Sequence, residues 1–351
     1  MECFRIDESG YTGYDLLNPE QRFQGAAAIA IDNADARRLI KDHFPRLQAA
    51  ELKYRSISRR STYHAPLREL HQILLTEYKC VTSVCDKGYL LALMFLDYAV
   101  EPFYFERGFN FYEDGQNYAM ASLLYRAGPT LLGEKELATL FSVFQRAVKT
   151  KTRQSLRDLV AAARRTRWHK LPEVLGPLAK YAAPECLDAI TTPAVDTDAI
   201  PVVLQSLISR TEVMANGPYQ IEHDESKNLL AFHDFLQRLI EHEEKAEFRT
   251  TRETTFKFPL NLTAVKYVES KANPAVQLAD LLIGVAIDAA NHLAGFRSGG
   301  LDPEQVFSLY QDQQLMCLAP DLDFKAQRRF REGSESSELI DYFAKYFARG
   351  S

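Results

Sequence analysis

Residues 3–8 and 25–31 (GAAAIAI) both read as strands, and no helical segment separates them. Two strands in succession without a helix between them predict an antiparallel pair. Farther along, the pattern changes. Residues 61–78 carry Leu67, Leu70, Ile73, Leu74 and Leu75 at helical spacing, and residues 80–85 (CVTSVC) form a β-branched run closed by Asp86-Lys87-Gly88. Residues 219–223 and 262–268 are strand-like, and helical sequence follows each, at 227–242 and 274–293. Strands that alternate with helices predict an α/β sheet. With the antiparallel pair at its front, the expected fold is a mixed sheet flanked by helices. Asn33 is expected to cap a helix running to about Phe44, and residues 52–57 (LKYRSI) to form a short strand.

Between residues 116 and 210 the strand signal almost disappears, and Pro129, Pro172, Pro177, Pro184, Pro193 and Pro201 punctuate helical sequence. This tract is expected to be a large helical insertion. The core is then 1–115 together with 211–300, and 301–351 is a helical tail. The net charge of −5 means that any contact with nucleic acid falls to local basic patches. Cys3, Cys80, Cys85, Cys186 and Cys317 are scattered without CxxC spacing, which predicts reduced thiols, a cytoplasmic setting and no zinc site. The chain opens straight into a strand with no signal-peptide pattern. The most apolar stretch, 276–295, contains Asp280, Asp288 and His292, and is expected to be a buried helix rather than a membrane span.

Acids recur where strands end. Asp7 follows FRI, Asp86 follows VTSVC, and Asp224 follows YQIEH; the strings IDES (6–9) and HDES (223–226) are almost the same word. Ligands of open α/β sheets collect at the carboxyl ends of strands, where such acids can converge. A single strand-end acid is more often a turn-former or a helix cap. Asp280 is different, because it sits among Leu278, Leu281, Leu282 and Val285. A carboxylate there is costly to bury unless it is paired or metal-bound. No GxGxxG, GxxxxGK[ST] or GxSxG string occurs, which argues against common nucleotide loops and a nucleophile elbow.

Taken in order, IDESG, ELK (51–53), CDK (85–87), HDES and QLAD (277–280) resemble the bacterial and phage domain-of-unknown-function family 3800, over about residues 3–295. The resemblance implies a ribonuclease H-like fold and a site of acids on the first strand, a later central strand and the final helix. Asp7, Asp224 and Asp280 take those places as ligands of Mg²⁺ or Mn²⁺, with Asp86 competing with Asp224 as the second strand acid. Glu51 stands where such folds supply an acid from a helix, although here it adjoins a strand-like run. The helical tract exceeds what the resemblance accounts for.

Several carboxylates and a hard cation suit phosphodiester hydrolysis, in which metal-bound water attacks and the leaving oxygen is stabilised. Lys53 and Lys87 are candidates to neutralise phosphate, and His223 to shuttle a proton. Lys53, Arg55, Arg59 and Arg60 form one basic stretch; residues 146–170 form a stronger one, with nine Lys and Arg against Asp158 alone. Arg164, Arg165 and Arg167 are its candidate substrate contacts, the alternative being a solvated or protein-facing helix face. Residues 98–112 (YAVEPFYFERGFNFY) are rich in aromatics, which suit either a core or base stacking. The expectation is a metal-dependent nuclease whose partner is DNA or RNA. A non-catalytic nucleic-acid-binding or scaffold protein is the alternative. A protein partner or homo-oligomer is allowed, and a membrane is not expected.

Overall fold

The first strand, β1 (Glu2–Ser9), sets the frame, because its side chains alternate between two faces. Phe4 and Ile6 are fully buried on one face, and Arg5 and Asp7 fall on the other. β2 (Phe23–Ile29) returns antiparallel with Ala27 opposite Asp7, and β3 (Cys80–Asp86) is antiparallel to β2. β4 (Tyr219–Asp224) lies parallel to β1 on its other side. A short antiparallel pair, β5 (Ala246–Arg249) and β6 (Thr255–Phe258), forms a separate sheet. β7 (Leu262–Val268) is parallel to β4, and β8 (Leu315–Leu318) is parallel to β3. The six-stranded order is β7-β4-β1-β2-β3-β8, in which β2 alone runs against the rest. The computed structural model describes residues 1–193, 195–225, 230, 233–251, 255–311 and 313–347.

Helices cover both faces of this sheet. On the face that carries Asp7 lie α1 (Asn33–His43), the single turn α2 (Tyr54–Ile57) and α3 (His64–Glu77), together with a long helix near the end of the core, Pro274–Leu293. That long helix packs across β1, β2 and β3, where Leu278, Leu282 and Ile283 share one apolar cluster with Ala27, Ile29 and Val84. It is long and apolar enough to cross a membrane, and 72% of its apolar window is buried inside the protein.

The opposite face is covered by α4 (Lys87–Ala99), α5 (Glu101–Phe105), α6 (Gln116–Leu132), α7 (Glu134–Thr150), α8 (Arg153–Arg165), α9 (Pro172–Ala179), α10 (Pro184–Thr191) and α11 (Ile200–Met214). The helical tract contains no strand among its described residues, as expected. It is not a separate body, however. Phe4, Ile6, Ala26, Ala28 and Val81 of the sheet share one buried cluster with Phe95 of α4, Phe144 of α7, Leu159 of α8 and Leu207 of α11. Two further core helices are α12 (His233–Glu241) and the long helix, α13 (Pro274–Leu293), and the tail adds α14 (Pro303–Ser308), α15 (Phe324–Arg331) and α16 (Ser336–Phe347).

Some local expectations change. Residues 52–57 make an extended step at Lys53 followed by the turn α2, because Tyr54 and Ile57 are buried three residues apart, a helical spacing. Asp32, not Asn33, caps α1 by accepting from the amides of Ala34 and Asp35; Asn33 instead accepts from the Ala275 amide at 3.1 Å and so ties α1 to α13. The tail is helical as expected, and in addition it contributes the short strand β8 to the edge of the main sheet. The helix expected from 227 is described only as α12, since 227–229 and 231–232 lie outside the described residues.

Candidate functional site

β1 and β4 are parallel neighbours, so their carboxyl ends share one edge of the sheet, and α13 crosses above it. Asp280 and Asp224 both come close enough to Asp7 here to raise its pKa. The Asp7 carboxyl is held well above the usual carboxylate range, first by burial, then by the charges of Asp280 and Glu8, with Asp224 adding to them. The Glu8 amide donates to Asp7 Oδ1 at 2.8 Å and works in the other direction. Burial also pushes Asp280 up to about 6, opposed by the Tyr54 amide at 2.7 Å from Oδ2 and by the Lys53 ammonium, and assisted by Glu51 and Glu8.

A backbone clamp positions the ELK segment against α13. Gln277 accepts from the Leu52 amide at 2.8 Å and donates to the Ser270 carbonyl at 2.7 Å. Asp280 accepts from Tyr54, while Ser270 donates its hydroxyl to Glu51 and its amide to Asp224 Oδ1 at 3.3 Å. The Tyr54 ring lies over Gly284, where an added Cβ would come within 2.3 Å of it; the Tyr54 hydroxyl donates to Asp288 at 2.8 Å. Glycine is required at 284 for this approach. Lys53 pairs with Glu51 at 3.3 Å and its side chain stays 56% exposed. Its burial, though partial, depresses its pKa, but Glu51, Asp280 and Asp224 outweigh that and raise it. Glu8 and Glu51 thus join the acids. Both stand in motifs already quoted from the sequence, and the signal that could have promoted Glu51 is its adjacency to Lys53.

Asp86 has a different setting. Its Oδ1 accepts from the amides of Gly88 at 2.9 Å and Tyr89 at 3.1 Å, capping α4, and pairs with Arg22 at 3.1 Å. Its Oδ2 accepts from the Tyr125 hydroxyl at 2.7 Å. Both oxygens are engaged in structure, and the charges that shift Asp7 and Asp280 do not include it. Asp86→Ala is expected to cost about 3 kcal/mol through an uncapped helix and a stranded Arg22. Urea melts measure this; a folded Asp86→Ala protein should bind divalent cations like the parent.

Lys87 is also structural. Its buried ammonium donates to the Gly10 carbonyl at 3.1 Å and the Thr12 hydroxyl at 2.7 Å, which secures the loop after β1. Burial lowers its pKa to about 8. Gly10 turns that loop at φ +84°, with the Phe23 carbonyl oxygen only 2.1 Å from where a Cβ would stand. His223 pairs with Ile6 across the β1–β4 register and so shares the face opposite Asp7. It is 1% exposed, donates Nδ1–H to the Asp224 carbonyl at 2.7 Å and lies 3.4 Å from His233. That placement favours packing over proton shuttling.

Arg164 and Arg165 end α8, Arg167 follows, and all three are exposed. α8 belongs to the cluster on the sheet face opposite α13, so the fold does not bring them to the acids. The tract's other end comes nearer: the Lys149 ammonium lies 3.3 Å from the centre of the Tyr14 ring, in the loop after β1.

The donors present are all carboxylate oxygens, which suits a hard cation such as Mg²⁺ or Mn²⁺. Mutually repelling, buried acids with one partly exposed lysine among them also suit one. Among the described residues, no three His, Cys, Asp or Glu side chains yet form a group able to hold a metal ion. No protein-family model, curated protein or solved structure matches the chain.

Proposed function

We propose that this protein is a ribonuclease H-like, divalent-metal-dependent hydrolase of nucleic-acid phosphodiesters, with Asp7, Asp224 and Asp280 holding Mg²⁺ or Mn²⁺. The observation that carries the reading is Asp7: a half-buried carboxyl on a central strand whose pKa is raised by Asp280 of the core helix and by Glu8, with no ion pair among the described residues. Burying like charges together is costly, and a cation removes that cost. The sheet supports the same reading, because the acids fall on the first strand, on its parallel neighbour and on the last core helix, as the resemblance implies. When bound, the metal supplies a water of lowered pKa and a counter-charge for the phosphate. Asp7 and Asp280 orient it, Glu8 and Glu51 extend the acidic rim, and the exposed Lys53 meets the phosphate.

The test is calorimetric titration with Mn²⁺ and Mg²⁺, beside hydrolysis of labelled single-stranded, duplex and hybrid oligonucleotides. Saturable binding and cleavage that EDTA stops support the proposal; absence of both removes it. One observation favours a second reading, a nucleic-acid-binding scaffold that has lost catalysis: the acids are neighbours without a three-ligand group. That reading expects oligonucleotide binding without metal binding or cleavage.

A further inference from the structure

On the sheet face away from the acids, α8 exposes Arg153, Arg157 and Arg164. At 100° per residue these three fall within about 40° of one another on the helix and span about 16 Å. Asp158, the one acid of the basic stretch 146–170, is taken up by Arg146 at 3.1 Å and Gln154 at 2.8 Å. Lys151 is not part of the stripe, since its ammonium is spent on the carbonyls of Thr192, Pro193 and Val195 at 2.6–2.9 Å.

The far end of this stripe leads to aromatic rings. Arg164 Nε donates to the Ala179 carbonyl at 2.9 Å, two residues before Tyr181. Tyr181 is 53% exposed, with Lys180 over its ring at 4.8 Å, and stacks on Phe103 at 5.1 Å and 18°. Phe105 and Phe109, from the same aromatic-rich segment as Phe103, are 60% and 62% exposed. Large apolar rings at that exposure lose hydrophobic free energy unless something covers them.

We infer that the α8 arginine stripe and the Tyr181–Phe105–Phe109 rings form one binding surface for single-stranded nucleic acid. The charges track phosphates at a spacing that covers a few nucleotides, and the rings offer stacking faces to unpaired bases. A duplex hides its bases from such rings, so single strands are favoured over duplex. A second protein would cover the rings equally well, but it would leave the arginines without acids; without the basic stretch 146–170 the chain carries −13, which repels an acidic partner elsewhere and leaves this patch as the attractive one. The inference deepens the proposed function by naming the form of the substrate, yet it stands on binding alone.

The experiment is fluorescence anisotropy of the full chain in EDTA, where cleavage plays no part, with 20-nucleotide-scale DNA and RNA single strands and the matching duplexes, over a salt series. The wild type should prefer single strands. Phe105→Ala with Phe109→Ala, both on exposed rings, should weaken single-strand binding about tenfold and leave the salt slope unchanged. Arg153→Glu with Arg157→Glu should weaken all binding and lower the slope by about 0.7 per lost phosphate contact. Equal affinity for duplex, or single-strand affinity unmoved by the aromatic pair, overturns the inference. So does a wild-type dimer, seen by light scattering, that the aromatic pair dissolves. Thermal melts confirm that each variant is folded.

Discussion

Asp7→Asn is expected to abolish metal-dependent cleavage while the protein stays folded and gains stability in the absence of metal. Asn is nearly isosteric and keeps an oxygen that can accept from the Glu8 amide, so the local turn survives. What it loses is the charge. A central ligand of a metal-activated water is worth several kcal/mol in the transition state, so cleavage should fall by about a thousandfold or more. The stability gain has the opposite origin. In the wild type the half-buried Asp7 carboxyl faces desolvation and the charges of Asp280 and Glu8, which hold its pKa well above the usual range. Removing the charge removes that repulsion. Single-turnover cleavage in Mn²⁺, calorimetric Mn²⁺ affinity and a melt in EDTA measure the three effects. If Asp7 were only a turn-former, Asn would serve equally and cleavage would persist.

The metal-free protein should lose stability as pH rises from about 4 towards neutrality, and a divalent cation should restore it. Asp280 keeps its proton in the folded chain up to about 6, against 3.8 for the ordinary group. Between those values the folded state binds more protons than the unfolded state, so stability falls with rising pH. A shift of that size corresponds to about 3 kcal/mol, and Asp7 acts in the same direction. A cation at about a hundred times its Kd returns about 2.7 kcal/mol at neutral pH. Urea melts in EDTA and in Mn²⁺ measure the difference, with Asp280→Asn as the reference that lacks this titration. A metal-free profile that rises through this interval, or one that Mn²⁺ leaves unmoved, would count against the acids as a cation site.

The sequence alone determined the elements that carry the core. Short apolar and β-branched runs placed β1, β2, β3, β4 and β7 to within a few residues, helical spacing gave α3, and a cap signal and an apolar stretch gave α1 and α13. It also singled out Asp280, since an acid in an apolar helix has no local explanation. What it left open was assigned by contacts distant in the chain. Asp86 and Asp224 have the same signature, an acid closing a strand. Only the sheet order separates them: β4 is the neighbour of β1, whereas Asp86 lies two strands away and is consumed by Arg22, Tyr125 and the first turn of α4. Lys87 reads as a phosphate ligand until the fold turns it inward onto Gly10 and Thr12. His223 follows from register, because pairing with Ile6 puts it on the face away from its neighbour Asp224. Residues 51–54 are set by Gln277 and Asp280, more than two hundred positions later. β8 is four residues long and leaves too short a pattern to read; it becomes a strand because the edge of β3 offers it unpaired hydrogen-bonding groups. Periodicity records which side of an element is buried. Which charges then meet is decided by strand order and register, and those are properties of the folded chain.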